Sequence, residues 1–174
     1  MPSGIRRTLF WSVALGVVVL DQITKRIAVA ALSERPASVV GEWVMLRLVY
    51  NPGAAFGIHV GVHSRWVFML LAVIALMVLG SMVRHTRPEQ WFRLTALALV
   101  CGGAVGNLVD RVRTDSGVVD FIDVYLGPLH WPTFNVADMA VSCGAVALAA
   151  VLWHEGRETS ERDPDTKQPD AVEA

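Results

Sequence analysis

Three aspartates in apolar surroundings are the residues of this sequence best suited to chemistry. Asp120 lies within VVDFI, Asp123 follows it, and Asp138 lies near the start of the apolar run NVADMAVSCGAVALAAVLW. A carboxylate beside hydrocarbon is costly unless it is paired, hydrogen-bonded or protonated. Two aspartates that share one proton can hydrolyse an amide, because one activates water while the other polarises the carbonyl and protonates the leaving nitrogen. The stretch 117–140 is therefore a candidate half of an active site.

Other common catalytic motifs do not occur in the sequence. It contains no G-x-S-x-G, no H-E-x-x-H and no phosphate-binding glycine loop with a lysine. The five histidines are scattered, and Cys101 and Cys143 lack metal-ligand spacing. These residues therefore show no metal-site pattern. The net charge of -1 says little by itself, because a polyanion-binding patch would show as clustered Lys and Arg. We expect no nucleic-acid partner.

The composition indicates a membrane protein. Of 174 residues, 53% are hydrophobic and only 18% are charged, whereas a soluble domain carries about a quarter charged residues. The mean hydropathy is +0.46. Four apolar blocks predict a mainly α-helical fold with four transmembrane helices, at about 9–32, 66–84, 91–110 and 134–154. Residues 1–156 would form one domain, and the polar segment 157–174 would be a disordered cytoplasmic tail.

A small β-rich element is expected between the first two helices. Residues 39–40 and 43–50 alternate well enough to predict short strands. Asn51-Pro52-Gly53 is a turn signal, because proline fixes φ and glycine permits positive φ. This turn is either an ordinary hairpin or a loop that lets backbone approach a ligand closely.

Polar residues interrupt the apolar blocks at helical spacing. Asp21 and Lys25 are four apart, so they share a helix face and can pair. That face should look inward, toward protein or water, and the pair is either structural or part of a site. Asn107 and Asp110 are three apart on another face. Gly102, Gly103 and Gly106 of the third block indicate close helix packing. Asn135 is the predicted N-cap of the fourth block.

The arginines predict the orientation. Arginines precede the first block and also lie between the second and third blocks. By the positive-inside rule both of these segments, and hence both termini, are expected in the cytoplasm. The helical rise then brings polar residues of five segments to one depth, near the outer membrane boundary. On these grounds alone, Asp110 and Asp120 are equally suitable partners for Asp138. The residues gathered at this depth are Asp21, Lys25, Asn51, Asn107, Asp110, Asp120, Asn135 and Asp138.

Two other classes of protein fit part of this pattern. A proton-coupled transporter would use buried carboxylates as a relay, but a relay should distribute acids through the membrane depth. A membrane scaffold or lipid-binding module would need no aspartate at position 138. A peptidase fits the one-sided cluster better than either.

Five motifs taken together resemble signal peptidase II, the lipoprotein signal peptidase, over about residues 8–155. They are the Asp21…Lys25 pair, NPGAAF from Asn51, GNLVDR from Gly106, VVDF from Val118, and FNVAD from Phe134. The resemblance implies an aspartyl protease of the bacterial inner membrane with its site at the extracytoplasmic face. It implies removal of signal peptides from diacylglyceryl prolipoproteins, with a cut before the lipidated cysteine, no metal or cofactor, contact with membrane lipids, and inhibition by globomycin.

The resemblance also implies residue roles, and it selects Asp120 rather than Asp110 as the partner of Asp138 in a catalytic dyad. Asp123 lies outside the motifs and is interpreted as a solvated loop residue. We expect a monomer. The implied substrate-binding and supporting residues are Asn51, Gly53, Asn107, Asp110, Arg111, Asn135, Asp21 and Lys25.

Overall fold

Four helices and a four-stranded antiparallel sheet make up the computed structural model, which describes residues 3–52, 61–87 and 89–162. A short 3-10 turn, Gly61–His63, precedes the second helix. The helices are α1 (Ser3–Leu32), α2 (Ser64–His85), α3 (Trp91–Arg113) and α4 (Val136–Arg162). The strands are β1 (Ala37–Val40), β2 (Val44–Asn51), β3 (Val118–Leu126) and β4 (Leu129–Phe134).

Helix α3 is the centre of the bundle and packs against α1, α2 and α4. Small residues allow this close approach. A Cβ on Gly103 would overlap the carbonyl oxygen of Ala137 in α4, and one on Gly106 would lie 2.7 Å from Oδ2 of Asp21 in α1. The packing role predicted for these glycines is confirmed, and it brings the polar residues of α1, α3 and α4 together.

Three of the described helices, α2, α3 and α4, are long and apolar enough to cross a membrane. Helix α2 lies at the edge of the bundle, and its apolar side chains, such as Leu70 and Met77, are exposed. Helix α1 is longer, but it carries Asp21, Lys25 and Arg26 within its apolar stretch. Asp21 and Lys25 are buried inside the protein, so the prediction that their face looks inward is confirmed.

The sheet has the order β1-β2-β3-β4. Strands β1 and β2 confirm the strands predicted between the first two helices. The prediction was incomplete, however, because β3 and β4 come from the chain between α3 and α4. The start of β3 is buried at four consecutive residues, so it lacks the alternation that marks a half-buried strand.

Several helix boundaries differ from the prediction: α1 begins earlier, at Ser3, α2 extends from Ser64 to His85, and α3 continues to Arg113. Helix α4 begins at Val136, two residues later than expected, because Asn135 caps it. It ends at Arg162, so the first six residues of the expected disordered tail are helical. The segment RETSER contains good helix formers and no Gly or Pro. Residues 163–174 lie outside the described residues.

Candidate active site

Asn135 joins the two aspartates that the sequence singled out. Asp120 is the third residue of β3, and Asp138 is the third residue of α4. The Nδ2 group of Asn135 donates to Oδ1 of Asp120 at 2.6 Å. The backbone N–H of Asn135 donates to Oδ2 of Asp138 at 3.1 Å. One buried amide residue therefore holds both carboxyl groups at the junction of the sheet and α4.

The start of α4 fixes the direction of Asp138. Oδ1 of Asn135 accepts from the backbone N–H of Asp138 at 2.9 Å, while the Asp138 carboxylate accepts from the N–H of Asn135. This reciprocal pair satisfies N–H groups at the helix start, as in a capping box. The N–H of Ala137 donates to Oδ1 of Asp21 at 3.0 Å. The predicted N-cap is confirmed, and α1 contributes to it.

Asp120 lies in an almost closed environment, with 2% of its surface exposed. Besides Asn135, the Nδ2 group of Asn51 donates to its Oδ2 at 3.1 Å. Burial, and then the neighbouring charge of Asp138, raise the pKa of Asp120 to about 7. The two amide hydrogen bonds and Lys25 oppose this rise only in part. A carboxyl group with this pKa can hold a proton near neutral pH.

Lys25 is the buried cation of the site, and its ammonium group contacts three acceptors. It lies 2.9 Å from Oδ2 of Asp21, 2.7 Å from Oδ2 of Asp110 and 2.9 Å from Oδ1 of Asn107. An ammonium group has three N–H donors, so these contacts can use all of them. The predicted Asp21–Lys25 pair is confirmed, and it extends to α3.

Asp110 is tied into this ion pair. Besides Lys25, its Oδ1 accepts from Nε2 of Gln22 at 3.0 Å, and its Oδ2 accepts from the N–H of Val119 at 3.4 Å. Gln22 was not among the predicted site residues. Its only sequence signal is its place beside Asp21 within an apolar block.

Asn107 links Lys25 to Asp138. Its Nδ2 donates to Oδ1 of Asp138 at 2.8 Å, and its Oδ1 accepts from Asn135 at 3.1 Å as well as from Lys25. One turn later, Nη1 of Arg111 donates to the backbone oxygen of Asn107 at 3.2 Å. Arg111 interacts electrostatically with the three surrounding aspartates, Asp138, Asp120 and Asp110.

Asn51 reaches the site from the end of β2. The backbone there is fixed by Gly117, whose φ is +101° and whose position leaves no room for a Cβ beside the Asn51 carbonyl. The end of β2 and the start of β3 therefore approach each other closely at this point. Gly53, predicted to line the substrate side, lies outside the described residues.

The interpretation of Asp123 as a solvated loop residue is wrong, since only 1% of its surface is exposed. Its carboxylate is bound from two neighbouring strands and its own. Burial raises the pKa of Asp123, but hydrogen bonds from His130 and Tyr125 and the charge of Arg47 outweigh burial and lower it overall. The contacts are to Nε2 of His130 at 2.5 Å, Oη of Tyr125 at 2.9 Å, Oγ1 of Thr133 at 3.1 Å and Nε of Arg47 at 3.2 Å.

The burial of Asp123 was not predicted because Arg47, His130 and Thr133 lie on other strands, and neither β3 nor β4 was predicted. The residue forms a structural cluster within the sheet, separate from the hydrogen bonds around Asp120. In the described part of the chain, no group of three or more His, Cys, Asp or Glu side chains is placed to hold a metal ion.

Known proteins are similar to this chain in sequence and in fold. Residues 13–154 match the sequence model of the family described as signal peptidase (SPase) II. A lipoprotein signal peptidase of Syntrophotalea carbinolica is 42% identical over 146 residues, which are 83% of this chain and 90% of that protein. One of Geobacter sulfurreducens is 39% identical over 151 residues, covering 86% and 94% respectively.

A solved structure gives the same result for the fold. It is described as a bacterial membrane enzyme determined by the in meso method at 2.3 Å resolution. It superposes with a TM-score of 0.74 at 28% identity, covering 99% of this chain and 97% of that one.

These similarities define the class of protein as an aspartic-type endopeptidase of the bacterial inner membrane. The apolar helices agree with that location. The chain belongs to the signal peptidase II family. The family resemblance noted from the sequence motifs is thereby confirmed.

Proposed function

We propose that this protein removes signal peptides from diacylglyceryl-modified prolipoproteins, cutting before the lipidated cysteine, with Asp120 and Asp138 as its catalytic dyad. The relatives named lipoprotein signal peptidases support the substrate class. The observation that carries the dyad is the bridge formed by Asn135, which binds both carboxyl groups and is itself fully buried.

The environments of the two aspartates suggest different roles. Asp120 has a pKa of about 7 and holds the shared proton. Asp138 lies in the first turn of α4, where the helix dipole favours a negative charge. Asp138 is therefore the general base, and Asp120 is the general acid.

The proton transfers balance over one cycle. Asp138 takes a proton from water as the water oxygen attacks the scissile carbonyl carbon, and Asp120 donates its proton to the carbonyl oxygen. When the tetrahedral intermediate collapses, Asp138 protonates the leaving nitrogen. This differs from the role expected from the sequence, because the polarising carboxyl, Asp120, has already given its proton to the carbonyl oxygen. One hydroxyl of the intermediate returns its proton to Asp120, which restores the starting state.

The surrounding polar residues keep the dyad in place. Asn51 and Asn107 each donate to one of the two carboxyl groups. Lys25 acts on the dyad through Asn107, and Arg111 adds positive charge near it. Asp21 supports the start of α4.

An apolar cleft of about 150 Å³ next to β3 would receive lipid. It lies between α1 and the sheet, and Phe121, the neighbour of Asp120, forms part of its wall. An acyl chain of the substrate would be held there by burial of apolar surface. Its lining residues are Thr24, Ile27, Ala28, Ala31, Leu32, Leu46 and Phe121.

In this proposal α1 is a fourth membrane crossing, with its Asp21–Lys25 pair covered by α3 and α4. The arginines at the start of α1 and around the α2–α3 connection support a cytoplasmic location for both termini. The aspartates then lie at the extracytoplasmic face. The protein acts as a monomer without metal or cofactor, and globomycin-type inhibitors bind at the dyad.

A gel-shift assay on a diacylglyceryl prolipoprotein tests this function. The wild-type protein should shorten the precursor, and globomycin should block the shift. The same precursor without its lipid should be cut much more slowly. Equal rates on both precursors would contradict the role of the apolar cleft, and a globomycin-insensitive cut would contradict the assigned activity.

A further inference from the structure

A cavity of about 290 Å³ lies at the end of the helix bundle away from the aspartates. Helices α1, α2 and α3 form its wall. The helical rise along α1 places Arg6 roughly 22 Å from Asp21, so the cavity is separate from the candidate active site. We call it the arginine cleft; it is lined by Arg6, Arg7, Phe10, Trp11, Val83 and Leu94.

The arginine cleft combines an apolar wall with a basic rim. Arg6 is half-buried, and its Nη2 donates to the backbone oxygen of Val83 at 2.6 Å. This contact brings the start of α1 to the end of α2, where Arg84 and then Arg87 follow Val83 in the chain. Within residues 3–52, 61–87 and 89–162, none of these three arginines, nor Arg7, forms an ion pair with a carboxylate.

Two glutamates of α4 lie near the same end of the bundle, but other side chains engage them. Arg93 binds Glu155, with its Nη1 3.0 Å from Oε2. His154 contacts Glu158 at 3.4 Å. Neither glutamate lies in the wall of the arginine cleft. The two arginines that line the cleft, Arg6 and Arg7, are therefore not paired with these glutamates.

We propose that the arginine cleft binds an anionic phospholipid of the surrounding bilayer. Guanidinium groups bind phosphate through short charge-assisted hydrogen bonds, and Arg6 and Arg7 would take the headgroup phosphate. Phe10 and Trp11, whose rings pack edge to face at 5.3 Å, give an acyl chain an aromatic surface. Basic pockets between membrane helices favour anionic lipid headgroups. This site is independent of the peptidase reaction.

Lipid binding to the full-length protein in detergent tests this proposal. Native mass spectrometry would compare phosphatidylglycerol and phosphatidylcholine with identical acyl chains. Phosphatidylglycerol should bind more tightly to wild type, and Arg7→Gln should weaken its binding about five-fold, as expected for one lost arginine. Arg157→Gln is the matched control, because Arg157 is exposed on α4 and outside the cleft. Its phosphatidylglycerol affinity should equal that of wild type.

Two further arms separate a lipid site from a simple phosphate site. Trp11→Ala, which removes a half-exposed aromatic wall, should weaken both lipids. Soluble glycerol 3-phosphate at the same concentration should not displace phosphatidylglycerol. Equal affinity of wild type for both lipids, unchanged binding in Arg7→Gln, or displacement by glycerol 3-phosphate would each overturn the proposal. Precursor cleavage in detergent should be the same for Arg7→Gln and wild type.

Discussion

The ammonium group of Lys25 lies 2.7 Å from Oδ2 of Asp110, and both residues are buried. Asp110 thus has a positive partner inside the protein. Asp120 is instead reached by the amide groups of Asn51 and Asn135. This difference in charge environment separates two aspartates that sequence spacing leaves equivalent, and it supports Asp120 as the proton carrier.

Substitution of Asp120 should therefore mainly lower activity, whereas substitution of Asp110 should mainly lower stability. Asp120→Asn should lower turnover of a lipidated precursor by about 10³-fold, the scale of a lost general acid, and leave the fold intact. Asp110→Asn should instead destabilise the protein by about 1.5–3 kcal/mol, because Lys25 loses one charged acceptor but keeps Asp21 as its counter-charge. Single-turnover cleavage and thermal unfolding in detergent measure the two effects.

Asp115→Asn is the control for this pair. The Asp115 side chain is 92% exposed and contacts Arg65 away from the dyad. Surface ion pairs contribute little, so both activity and stability should match wild type. Normal turnover by Asp120→Asn would remove the dyad assignment.

The pH dependence of turnover should report the proton on Asp120. Since the pKa of Asp120 is about 7, kcat/KM should fall about tenfold per pH unit above about pH 7, as the acid form is lost. Initial rates on a lipidated precursor between pH 5 and 9 measure this. An alkaline limb absent up to pH 9 would contradict the role of Asp120 as the acid.

Stability should depend on pH through the same group. The pKa of Asp120 in the folded protein lies above its ordinary value of 3.8, so the folded protein binds the proton more tightly than the unfolded chain does. The neutral carboxyl contributes fully to the free energy of unfolding below about pH 4, and this contribution is lost as the pH rises through about 7. The melting temperature of Asp120→Asn should lack this decrease between about pH 4 and 7. An identical pH profile of melting temperature in both proteins would contradict the raised pKa of Asp120.

Asn135 has two functions that substitution can separate. Serine can still cap α4 through its hydroxyl, but it cannot donate to Asp120 as Nδ2 does at 2.6 Å. Asn135→Ser should therefore lower kcat and cost about 1–3 kcal/mol of stability, because buried acceptors on Asp120 and Asn107 lose their donor. Asn135→Ala should lower kcat as well and cost about 1 kcal/mol more than Asn135→Ser, since the cap is also lost. A stable, fully active Asn135→Ala would contradict both functions.

Close packing of α3 on α4 should be sensitive to one methyl group. A Cβ on Gly103 would overlap the Ala137 carbonyl, so Gly103→Ala should cost about 1–3 kcal/mol and lower activity by moving Asp138. Gly80→Ala is the control, because nothing lies within 4 Å of the added group. It should be neutral or slightly stabilising. Thermal unfolding in detergent compares the two, and equal stability would contradict the packing argument.

Local patterns in the sequence were sufficient where one segment decides the outcome. The spacing of Asp21 and Lys25 predicted their ion pair, and Asn135 before an apolar run predicted the cap of α4. The alternation before Asn51 predicted β2. Each depends on backbone geometry within a few residues, which sequence spacing describes directly.

Contacts between segments could not be predicted in this way. Asp123 was assigned to solvent because Arg47 and His130, which bind it, lie on different strands. Strand β3 was missed because it is buried at consecutive residues, and a continuous apolar run does not identify a strand by its periodicity. Gln22 gave no signal, because its partner Asp110 belongs to another helix.

The sequence by itself determined the membrane class, the family motifs and the set of polar residues that gather at one end of the bundle. Only the tertiary structure decided which carboxylates are neutralised by Lys25 and which carry amide hydrogen bonds alone. The physical reason is that burial and charge pairing act through space. They depend on how α1, α3, α4 and the sheet pack against one another, and residue spacing within one segment contains no information about that packing.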